Sequence, residues 1–255
     1  MKIGVTGATG RMGGTVLEAA QSREVDIAFA VNREPEVERV RGVEVRPATE
    51  FSTLIAEAEP DVIVDFTGPV STVEYAETAA AAGIPIVTGT TGFDDDQLAS
   101  LERSGESIPV LVGANFSRGV QALVDAVQAA IASVPAYDVE LTETHHNGKR
   151  DAPSGTAKMI LDNVDEARGR TSERVYGRVG DDPREGDEIG VHARRAGDVT
   201  GEHEVLVAGN QEVLSLTHRA GSRSVFAEGA LDAAGWILDR PAGYYRFADV
   251  AKELA

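Results

Sequence analysis

The sequence lacks several features that would widen its range of functions. It contains no cysteine, which excludes disulfide bonds, thiolate nucleophiles and cysteine-ligated metal sites. No apolar run approaches the ~20 residues that a membrane-spanning helix needs, and the N-terminal MKIGVTGATG has no apolar segment of signal-peptide type. With 255 residues, 42% of them hydrophobic, the chain can bury the core of one large domain or two modest ones. We therefore expect a globular cytoplasmic protein.

Positive charge is also scarce. The chain has 24 basic residues against 42 acidic ones, which gives a formal net charge of −18. Such a surface repels nucleic acids and anionic membranes, so we expect neither as a partner. A solvated acidic face explains this charge, and adaptation to high salt, where the self-repulsion is screened, is the alternative. Lysine occurs only at positions 2, 149, 158 and 252, so Lys149 calls for a chemical explanation.

Short runs rich in valine and isoleucine alternate with helical patterns in the first half of the chain. The strand-like runs lie at 2–7, 26–32, 61–67, 84–90 and 108–114. The helical patterns lie at 13–22, 52–59, 71–83 and 94–105. Strands separated by helices indicate a parallel sheet that is covered on both faces. We expect an α/β fold whose N-terminal domain has a Rossmann-type parallel sheet.

The rhythm changes in the second half. Helices are expected at 117–134, 155–167 and 226–239, strands at 136–144, 190–196, 203–209 and 212–220, and a loop or linker up to Glu188. Successive strands without helices between them indicate an antiparallel or mixed sheet. We expect a second, α+β domain on a mixed sheet over 118–227, and a first domain over 1–117 that is completed by the C-terminal segment 228–255.

Glycines at 7, 10 and 13 lie between the first strand and the first helix. A dinucleotide-binding fold places its phosphate-binding turn at this point, because glycine lets the backbone approach the pyrophosphate at a helix N-terminus. The pattern is G-x-x-G-x-x-G rather than the stricter G-x-G-x-x-G, and an ordinary strand–turn–helix connection is the alternative. We predict cofactor contacts at Gly7, Ala8, Thr9, Gly10, Arg11 and Met12.

The end of the second strand predicts which dinucleotide binds. An Asp or Glu there would bind the ribose 2′-hydroxyl of NAD, but this chain has Asn32 followed by Arg33. Arg33, together with Arg11, can pair with a 2′-phosphate. We therefore predict NADPH, with NADH also used, unless Arg33 is only a solvated loop charge.

Two later strands end at the same predicted sheet edge. Small residues at Gly89, Thr90 and Thr91 follow one strand, and Gly113, Ala114, Asn115 and Phe116 follow the next. Ligands of open parallel sheets bind outside the carboxyl ends of the strands. These residues are therefore candidate cofactor contacts, and tight turns without a binding role are the alternative.

The segment ETHHNGKRDAPSGTA, 143–157, gathers rare residue types. His145 and His146 at the end of a regular strand would project to opposite faces, which disfavours one shared metal, and we expect none. Ser154, Gly155 and Thr156 open a helix and offer donors to an anion such as a substrate carboxylate. Histidine and a partly desolvated lysine are usable proton donors, so the paired histidines and Lys149 are candidates for proton transfer. The alternative is a surface strand that simply ends in polar residues.

Together these motifs resemble the 4-hydroxy-tetrahydrodipicolinate reductase family over essentially the whole chain. The resemblance is carried by GATGRMGG, DFTGP, GTTGF, ANFS, ETHHNGKRDAPSGTA, RAGDVTGEH and HRAGSRSVFAEGA, in order. It implies that NAD(P)H reduces a cyclic dicarboxylate, made from aspartate semialdehyde and pyruvate, to (S)-2,3,4,5-tetrahydrodipicolinate with loss of water. This reaction belongs to lysine biosynthesis through diaminopimelate.

The resemblance also implies residue roles and a homotetramer built through the second domain. His145 matches the acid–base histidine, Lys149 the proton donor, and His146 a substrate contact. Gly155 and Thr156 match the carboxylate-binding amides, and Arg223 is expected at the second carboxylate. Asn32 departs from the acidic residue of many members, which disfavours strong use of NADH.

Two other functions fit part of the sequence. A two-domain dehydrogenase of amino acids or polyols would share the cofactor half and use Lys149 as a base. A redox-sensing dinucleotide-binding protein would need no proton relay. Neither accounts for PSGTA beside paired histidines.

Overall fold

A computed structural model of the chain describes residues 1–34 and 38–254. Its strands are β1 (Lys2–Thr6), β2 (Asp26–Asn32), β3 (Arg39–Val40), β4 (Val43–Pro47), β5 (Val62–Asp65), β6 (Ile86–Thr88), β7 (Pro109–Val112), β8 (Asp138–His145), β9 (Arg174–Val175), β10 (Ile189–Arg195), β11 (Glu202–Gly209), β12 (Glu212–Arg219) and β13 (Gly243–Arg246). Its α-helices are α1 (Arg11–Ser22), α2 (Phe51–Ala58), α3 (Pro69–Ala82), α4 (Asp95–Gly105), α5 (Arg118–Ser133), α6 (Gly155–Arg168), α7 (Ser224–Ile237) and α8 (Phe247–Val250).

These elements form two units by their internal contacts. The first unit is Met1–Arg118 with Arg223–Ala255, and the second is Gly119–Ser222. The fold is α/β, with a mostly parallel sheet in the first unit and a mixed sheet in the second, as predicted. The domain boundaries proposed from the sequence stay a prediction.

The sheet of the first unit has the order β13-β7-β6-β5-β1-β2-β4-β3. Strands β3 and β4 pair antiparallel, and the other neighbours pair parallel. Tyr244 and its neighbours in β13 pair with β7, so the C-terminal segment contributes a strand to this sheet. The carboxyl ends of β2, β1, β5, β6 and β7 therefore meet at one edge.

Both faces of this sheet are buried. On one face, Ile3, Val5 and Val64 pack with apolar residues of α1 and α7, and on the other, Ile63 packs with residues of α2, α3 and α4. All four residues of β5 are buried, as expected for a central strand covered on both sides. Each large aliphatic side chain that is fully buried contributes about 1.5–3 kcal/mol.

Local signals explain where several helices begin and end. Asp94 accepts a hydrogen bond from the amide of Gln97 and forms a capping box at the start of α4. Pro69 is the first residue of α3, which ends at Gly83 in the left-handed conformation, φ 73°. In the second unit, Ser154 caps α6, and Gly169 ends it with φ 66°.

The sheet of the second unit has the order β12-β11-β8-β10-β9. Strand β8 lies in the middle, parallel to β10 and antiparallel to β11, so the sheet is mixed rather than antiparallel. Leu141 of β8 and Val205 of β11 share a core with Val127 of α5 and Ile160 of α6. The residues that follow β8 are thus carried by the central strand of a packed sheet.

The sequence analysis missed short strands. It assigned no element to β3 or β4, and it took the polar stretch before Glu188 as a loop, although β9 lies within it and pairs with β10. Ion pairs from Arg174 to Asp165 and from Arg178 to Glu188 hold this stretch in place. In the described part of the chain, no helix is long and apolar enough to cross a membrane.

Candidate active site

The turn between β1 and α1 requires glycine at two positions. Gly7 has a positive φ of 76°, and a side chain there would place its Cβ 2.3 Å from the carbonyl oxygen of Phe66. At Gly13, a Cβ would lie 2.1 Å from the carbonyl oxygen of Gly7. Real Cβ atoms do not approach backbone atoms so closely, so the turn is tight because both side chains are absent.

The N-terminus of α1 fits a bound phosphate. The amide of Gly10 donates to the carbonyl oxygen of Gly7 at 2.9 Å, and the first helical bond runs from the amide of Gly14 to Gly10. No side chain caps the helix at Gly10. The amides of Arg11, Met12 and Gly13 lie between these bonds, and they donate no hydrogen bond to any described residue. Orphan amides at a helix N-terminus attract an anion.

The end of β2 lies beside this turn. The amides of Gly7 and Ala8 both donate to the carbonyl oxygen of Val31, at 3.0 and 3.1 Å. Asn32 is half-buried at the end of the strand, and Arg33 is exposed just beyond it. The guanidinium of Arg33 donates to Ser71 Oγ at the start of α3, at 2.9 Å. Its position is suited to a phosphate on the adenosine ribose, and β2 ends in Asn32 rather than in an acidic residue.

Asp65, at the end of β5, forms hydrogen bonds with the ends of the two neighbouring strands, β1 and β6. Its carboxylate is fully buried and accepts hydrogen bonds from five threonine hydroxyl groups. The donors are Thr6, Thr67, Thr72, Thr88 and Thr90. The hydrogen bond from Thr90 to Asp65 therefore fixes the segment Gly89–Thr91 next to the end of β5. Within this segment Thr90 is buried and Thr91 is exposed. The sequence analysis gave Asp65 no role.

The segment after β7 brings only part of its predicted residues to the surface. Ala114 is exposed, and Asn115 Oδ1 accepts from the amide of Ser117 at 2.8 Å, which closes a turn. The Phe116 side chain is 2% exposed and packs edge-on against Phe66 and Phe247. A ring in this position is part of the core, so the cofactor contact predicted for Phe116 cannot come from its side chain in this arrangement.

In the second unit, β8 ends at His145. The condition for placing His145 and His146 on opposite faces, one regular strand through both, is not met, since His146 lies beyond the strand. His145 is 9% exposed, and His146 is half-buried. Gly201 leaves room for the His145 ring, because a Cβ there would lie 3.1 Å from Nε2.

Glu143 lies two residues before His145 and supports it. One carboxylate oxygen lies 2.5 Å from His145 Nδ1, and both oxygens accept from the Arg195 guanidinium at 2.7 and 2.8 Å. Burial raises the pKa of Glu143, but the hydrogen bonds from His145 and Arg195 outweigh it and bring the pKa to about 2. The carboxylate is thus ionised at neutral pH.

The sequence analysis missed Glu143 and Arg195. One signal was available for Glu143, because residues i and i+2 of a strand share a face, so the carboxylate had to lie on the face of His145. No comparable signal marked Arg195, which lies in β10 and meets Glu143 through the parallel pairing of β10 with β8.

His203 packs behind His145. The two rings are 5.2 Å apart edge to face, and His203 Nε2 lies 3.1 Å from Ser154 Oγ. Burial, followed by the charge of His145, lowers the pKa of His203 to about 4. His203 Nδ1 is buried and has no hydrogen-bond partner among the described residues. This ring is neutral at pH 7.

Lys149 lies in the loop that follows His146. Its amide donates to the carbonyl oxygen of His146 at 3.1 Å, and its ammonium lies 2.8 Å from Asp151 Oδ1. Burial raises the pKa of Asp151, but the hydrogen bond from Lys149 outweighs this effect and brings the pKa below its usual value. The carboxyl group is therefore ionised. The lysine is therefore held by an exposed carboxylate from its own loop.

The N-terminus of α6 follows this loop. Ser154 caps the helix, because its Oγ accepts from the amide of Ala157 at 3.1 Å. The amide of Ser154 donates to Glu143, so it is already used within the protein. The first helical bond runs from the amide of Lys158 to Ser154, which places the amides of Gly155 and Thr156 at the helix tip. The Ser154 amide is therefore not available to an anion at this tip.

Arg223 is the last predicted substrate contact. It belongs to the first unit, where it immediately precedes α7, and it is half-buried.

In the first unit the structure brings together the glycine turn, Asn32, Arg33 and Gly89–Thr91. In the second it brings together His145, His146, Lys149 and the start of α6. The roles given to these residues stay predictions.

Comparison with known proteins identifies the family. Family models described as "Dihydrodipicolinate reductase, N-terminus" and "Dihydrodipicolinate reductase, C-terminus" match residues 1–116 and 119–251. A protein of Natronomonas pharaonis is 55% identical over 98% of this chain and 99% of its own length. One of Haloarcula marismortui is 51% identical over 98% of each. Both relatives carry the name 4-hydroxy-tetrahydrodipicolinate reductase.

Solved structures show the same fold. A dipicolinate-bound dihydrodipicolinate reductase from Paenisporosarcina sp. TG-14 superposes with a TM-score of 0.79 at 24% identity, covering 98% of this chain and 99% of that one. An amine dehydrogenase from Mycobacterium smegmatis gives 0.65 at 14% identity, covering 96% and 94%. These structural similarities show the fold alone. The family is established by the two family models and by the two relatives that are more than 50% identical to this chain. The chain belongs to the dihydrodipicolinate reductase family of oxidoreductases, also named 4-hydroxy-tetrahydrodipicolinate reductases.

Proposed function

We propose that this protein reduces (2S,4S)-4-hydroxy-2,3,4,5-tetrahydrodipicolinate to (S)-2,3,4,5-tetrahydrodipicolinate and water, in lysine biosynthesis through diaminopimelate. The observation that carries the proposal is the cluster of the second unit, where His145, Lys149 and the tip of α6 converge in a chain 55% identical to a reductase of that name. An acid–base group, a cation and helix amides are what a dicarboxylate substrate requires.

A family member of this kind requires a nicotinamide cofactor, and the glycine turn fits one. The absent side chains at Gly7 and Gly13 and the uncapped tip of α1 leave a cradle for the pyrophosphate. We propose NADPH as the preferred cofactor, because β2 ends in Asn32 rather than in an acidic residue and the exposed Arg33 follows it. When bound, the nicotinamide supplies a hydride to C4 of the substrate ring.

The protein's own residues handle the proton and the charge. Loss of water from the 4-hydroxy substrate first forms a C=C bond at C4 that is conjugated with the ring imine. Hydride addition at C4 then leaves an enamine, and we propose that Lys149 delivers the proton to the enamine carbon next to C4 while His145 acts as acid–base group. The amides of Gly155 and Thr156 would bind one carboxylate, with the Ser154 hydroxyl nearby, and His146 would contact the ring. Arg223 is proposed for the second carboxylate.

We also propose a cytoplasmic homotetramer that works at high salt. The net charge of −18 supports the salt adaptation, because screening relieves the repulsion between carboxylates. The same charge disfavours nucleic acid and anionic membrane as partners. Sedimentation equilibrium at low and high salt tests the assembly, and a monomer under both conditions would contradict it.

A coupled assay tests the activity. The purified chain is mixed with dihydrodipicolinate synthase, pyruvate, aspartate semialdehyde and NADPH at high salt, and absorbance at the NADPH band is followed. We expect absorbance loss that depends on both the synthase and this chain. Parallel reactions with amino acids or polyols and NADP⁺ test the dehydrogenase alternative; an engineered D-amino acid dehydrogenase and a myo-inositol dehydrogenase share the fold at 13% and 17% identity. No change in the coupled reaction would overturn the proposal.

A further inference from the structure

Glu143 connects three separate segments of the second unit. Its side chain is fully buried and accepts hydrogen bonds from the Arg195 guanidinium in β10 and the Ser154 amide before α6, and it contacts His145 at the end of β8. All distances lie between 2.5 and 3.1 Å. A buried carboxylate with this many partners costs little to hold ionised.

The ionised carboxylate determines which nitrogen of His145 carries a proton. A carboxylate can only accept hydrogen bonds, so the Nδ1 atom at 2.5 Å must donate. Neutral His145 therefore has its proton on Nδ1, and Nε2 keeps the lone pair that can take or return a proton. A hydrogen bond on one ring nitrogen also sets the orientation of the ring, as in other carboxylate–histidine pairs.

The same network reaches the loop of Lys149. Arg195 donates to the carbonyl oxygen of Asp151 at 2.6 Å while it holds Glu143. The Asp151 carboxylate lies 2.8 Å from the Lys149 ammonium. One buried ion pair thus connects the proposed acid–base group, the proposed proton donor and the carboxylate-binding tip of α6.

We propose that Glu143, held by Arg195, is a positioning residue that fixes the Nδ1–H tautomer of His145 and sets the start of α6 relative to it. The inference rests on the proposed function, because it assigns His145 a part in proton transfer. A merely structural ion pair is the competing explanation, and buried pairs of that kind contribute little to stability compared with apolar replacements.

The test compares two amide substitutions in the full-length protein. Glu143→Gln keeps the shape but presents an NH₂ group where His145 needs an acceptor. Asp165→Asn is the matched control, because Asp165 also accepts from an arginine, Arg174, and from a backbone amide, Ser172. The readouts are kcat and KM in the coupled assay, the melting temperature, and the ¹⁵N shifts of the His145 ring, assigned with His145→Asn.

We expect Glu143→Gln to lower kcat by about 10²-fold, as for other partners that orient a catalytic imidazole, and to shift the His145 ring away from the Nδ1–H tautomer. Asp165→Asn should retain kcat even where its melting temperature falls. Retention of kcat by Glu143→Gln, or equal losses of kcat in both variants, would overturn the proposal.

A measurement on the unmodified protein covers the case in which Glu143→Gln does not fold. A pH series of the ¹⁵N shifts of wild-type His145 identifies the neutral form of the ring, and in that form Nδ1 should be protonated and Nε2 unprotonated. The reverse tautomer would overturn the inference. This spectrum needs no substrate or turnover, so an inactive wild-type protein would refute the proposed function without deciding the tautomer.

Discussion

Glu143 and Asp65 are both fully buried carboxylates, and each serves a different half of the proposed chemistry. Glu143 is paired with Arg195, whereas Asp65 accepts only hydroxyl groups from threonines on neighbouring strand ends. A charge buried with a guanidinium can hold a second cationic group such as a histidine. A carboxyl group surrounded by hydroxyl groups instead fixes the backbone around it, here the segment Gly89–Thr91.

The candidate reactive groups were predicted from the sequence, whereas the buried carboxylates that hold neighbouring residues in place were not. His145 and Lys149 stood out because histidine and lysine are rare in this chain, while Glu143 and Asp65 are two of 42 acidic residues. Burial distinguishes them, and burial depends on strand pairing. Arg195 could not be found at all, since its contact with Glu143 spans 52 residues.

Replacing Lys149 by alanine should lower turnover. A proton donor acts in the transition state, so we expect kcat to fall by about 10²-fold or more with little change in NADPH affinity. Steady-state kinetics and fluorescence titration of NADPH separate the two effects. Weaker NADPH binding with normal kcat would show that Lys149 has another role.

His203 should make stability depend on pH. Its pKa is about 4 in the folded protein and near 6.5 when exposed, so between these values the unfolded chain binds the additional proton. As pH falls through this window, this group should remove about 1.4 kcal/mol of stability per pH unit. Urea titrations of wild type and His203→Gln at pH 6.5 and 5 measure it. Equal losses in both proteins would exclude His203 as the source.

Among the elements, the long apolar strands were predictable and the short ones were not. Strand β4 buries only Val45 among its five residues. Its alternation of Val43 and Val45 with exposed Glu44 and Arg46 is a strand signal, but it is short and ends at Pro47, which weakens it. Strand β9 has two residues, and its pairing with β10 depends on ion pairs such as Arg174–Asp165. Such elements form because their neighbours are already in place.

The turn into α1 offers a matched pair of glycine substitutions. Gly13→Ala would force a Cβ to within 2.1 Å of the Gly7 carbonyl oxygen, so we expect a loss of about 1–3 kcal/mol of stability and weaker NADPH binding. Gly14→Ala meets nothing closer than 3.6 Å, and in a helix it should add about 0.5–1 kcal/mol. Melting curves and NADPH titrations check both. Equal effects of the two changes would contradict this account of the turn.

The end of β2 should decide the choice of dinucleotide. Asn32→Asp places a carboxylate where a 2′-phosphate would bind and where a ribose 2′-hydroxyl would be accepted. We expect NADPH affinity to fall by about tenfold, equivalent to about 1.4 kcal/mol, and NADH affinity to rise. Titration with both cofactors measures the shift, with Arg33→Ala as a second variant that should weaken NADPH alone. Unchanged NADPH affinity in Asn32→Asp would refute the prediction.

At the scale of the whole molecule, the net charge of −18 dominates. Screening shortens the Debye length from about 10 Å at 0.1 M salt to about 3 Å at 1 M, so KCl should raise the melting temperature by several degrees over this range. Because excluded solutes also stabilise proteins, sucrose at equal osmolality is the control. A rise as large in sucrose as in KCl would show that charge repulsion is not the cause.

The discontinuous first unit has a consequence for synthesis on the ribosome. Its sheet needs β13 as the neighbour of β7, and α7 packs on α1, so residues made last complete a unit begun at the N-terminus. The second unit, Gly119–Ser222, is continuous. A nascent chain can therefore form the Glu143 network early, while the first unit keeps an unpaired β7 edge until translation has passed Arg246.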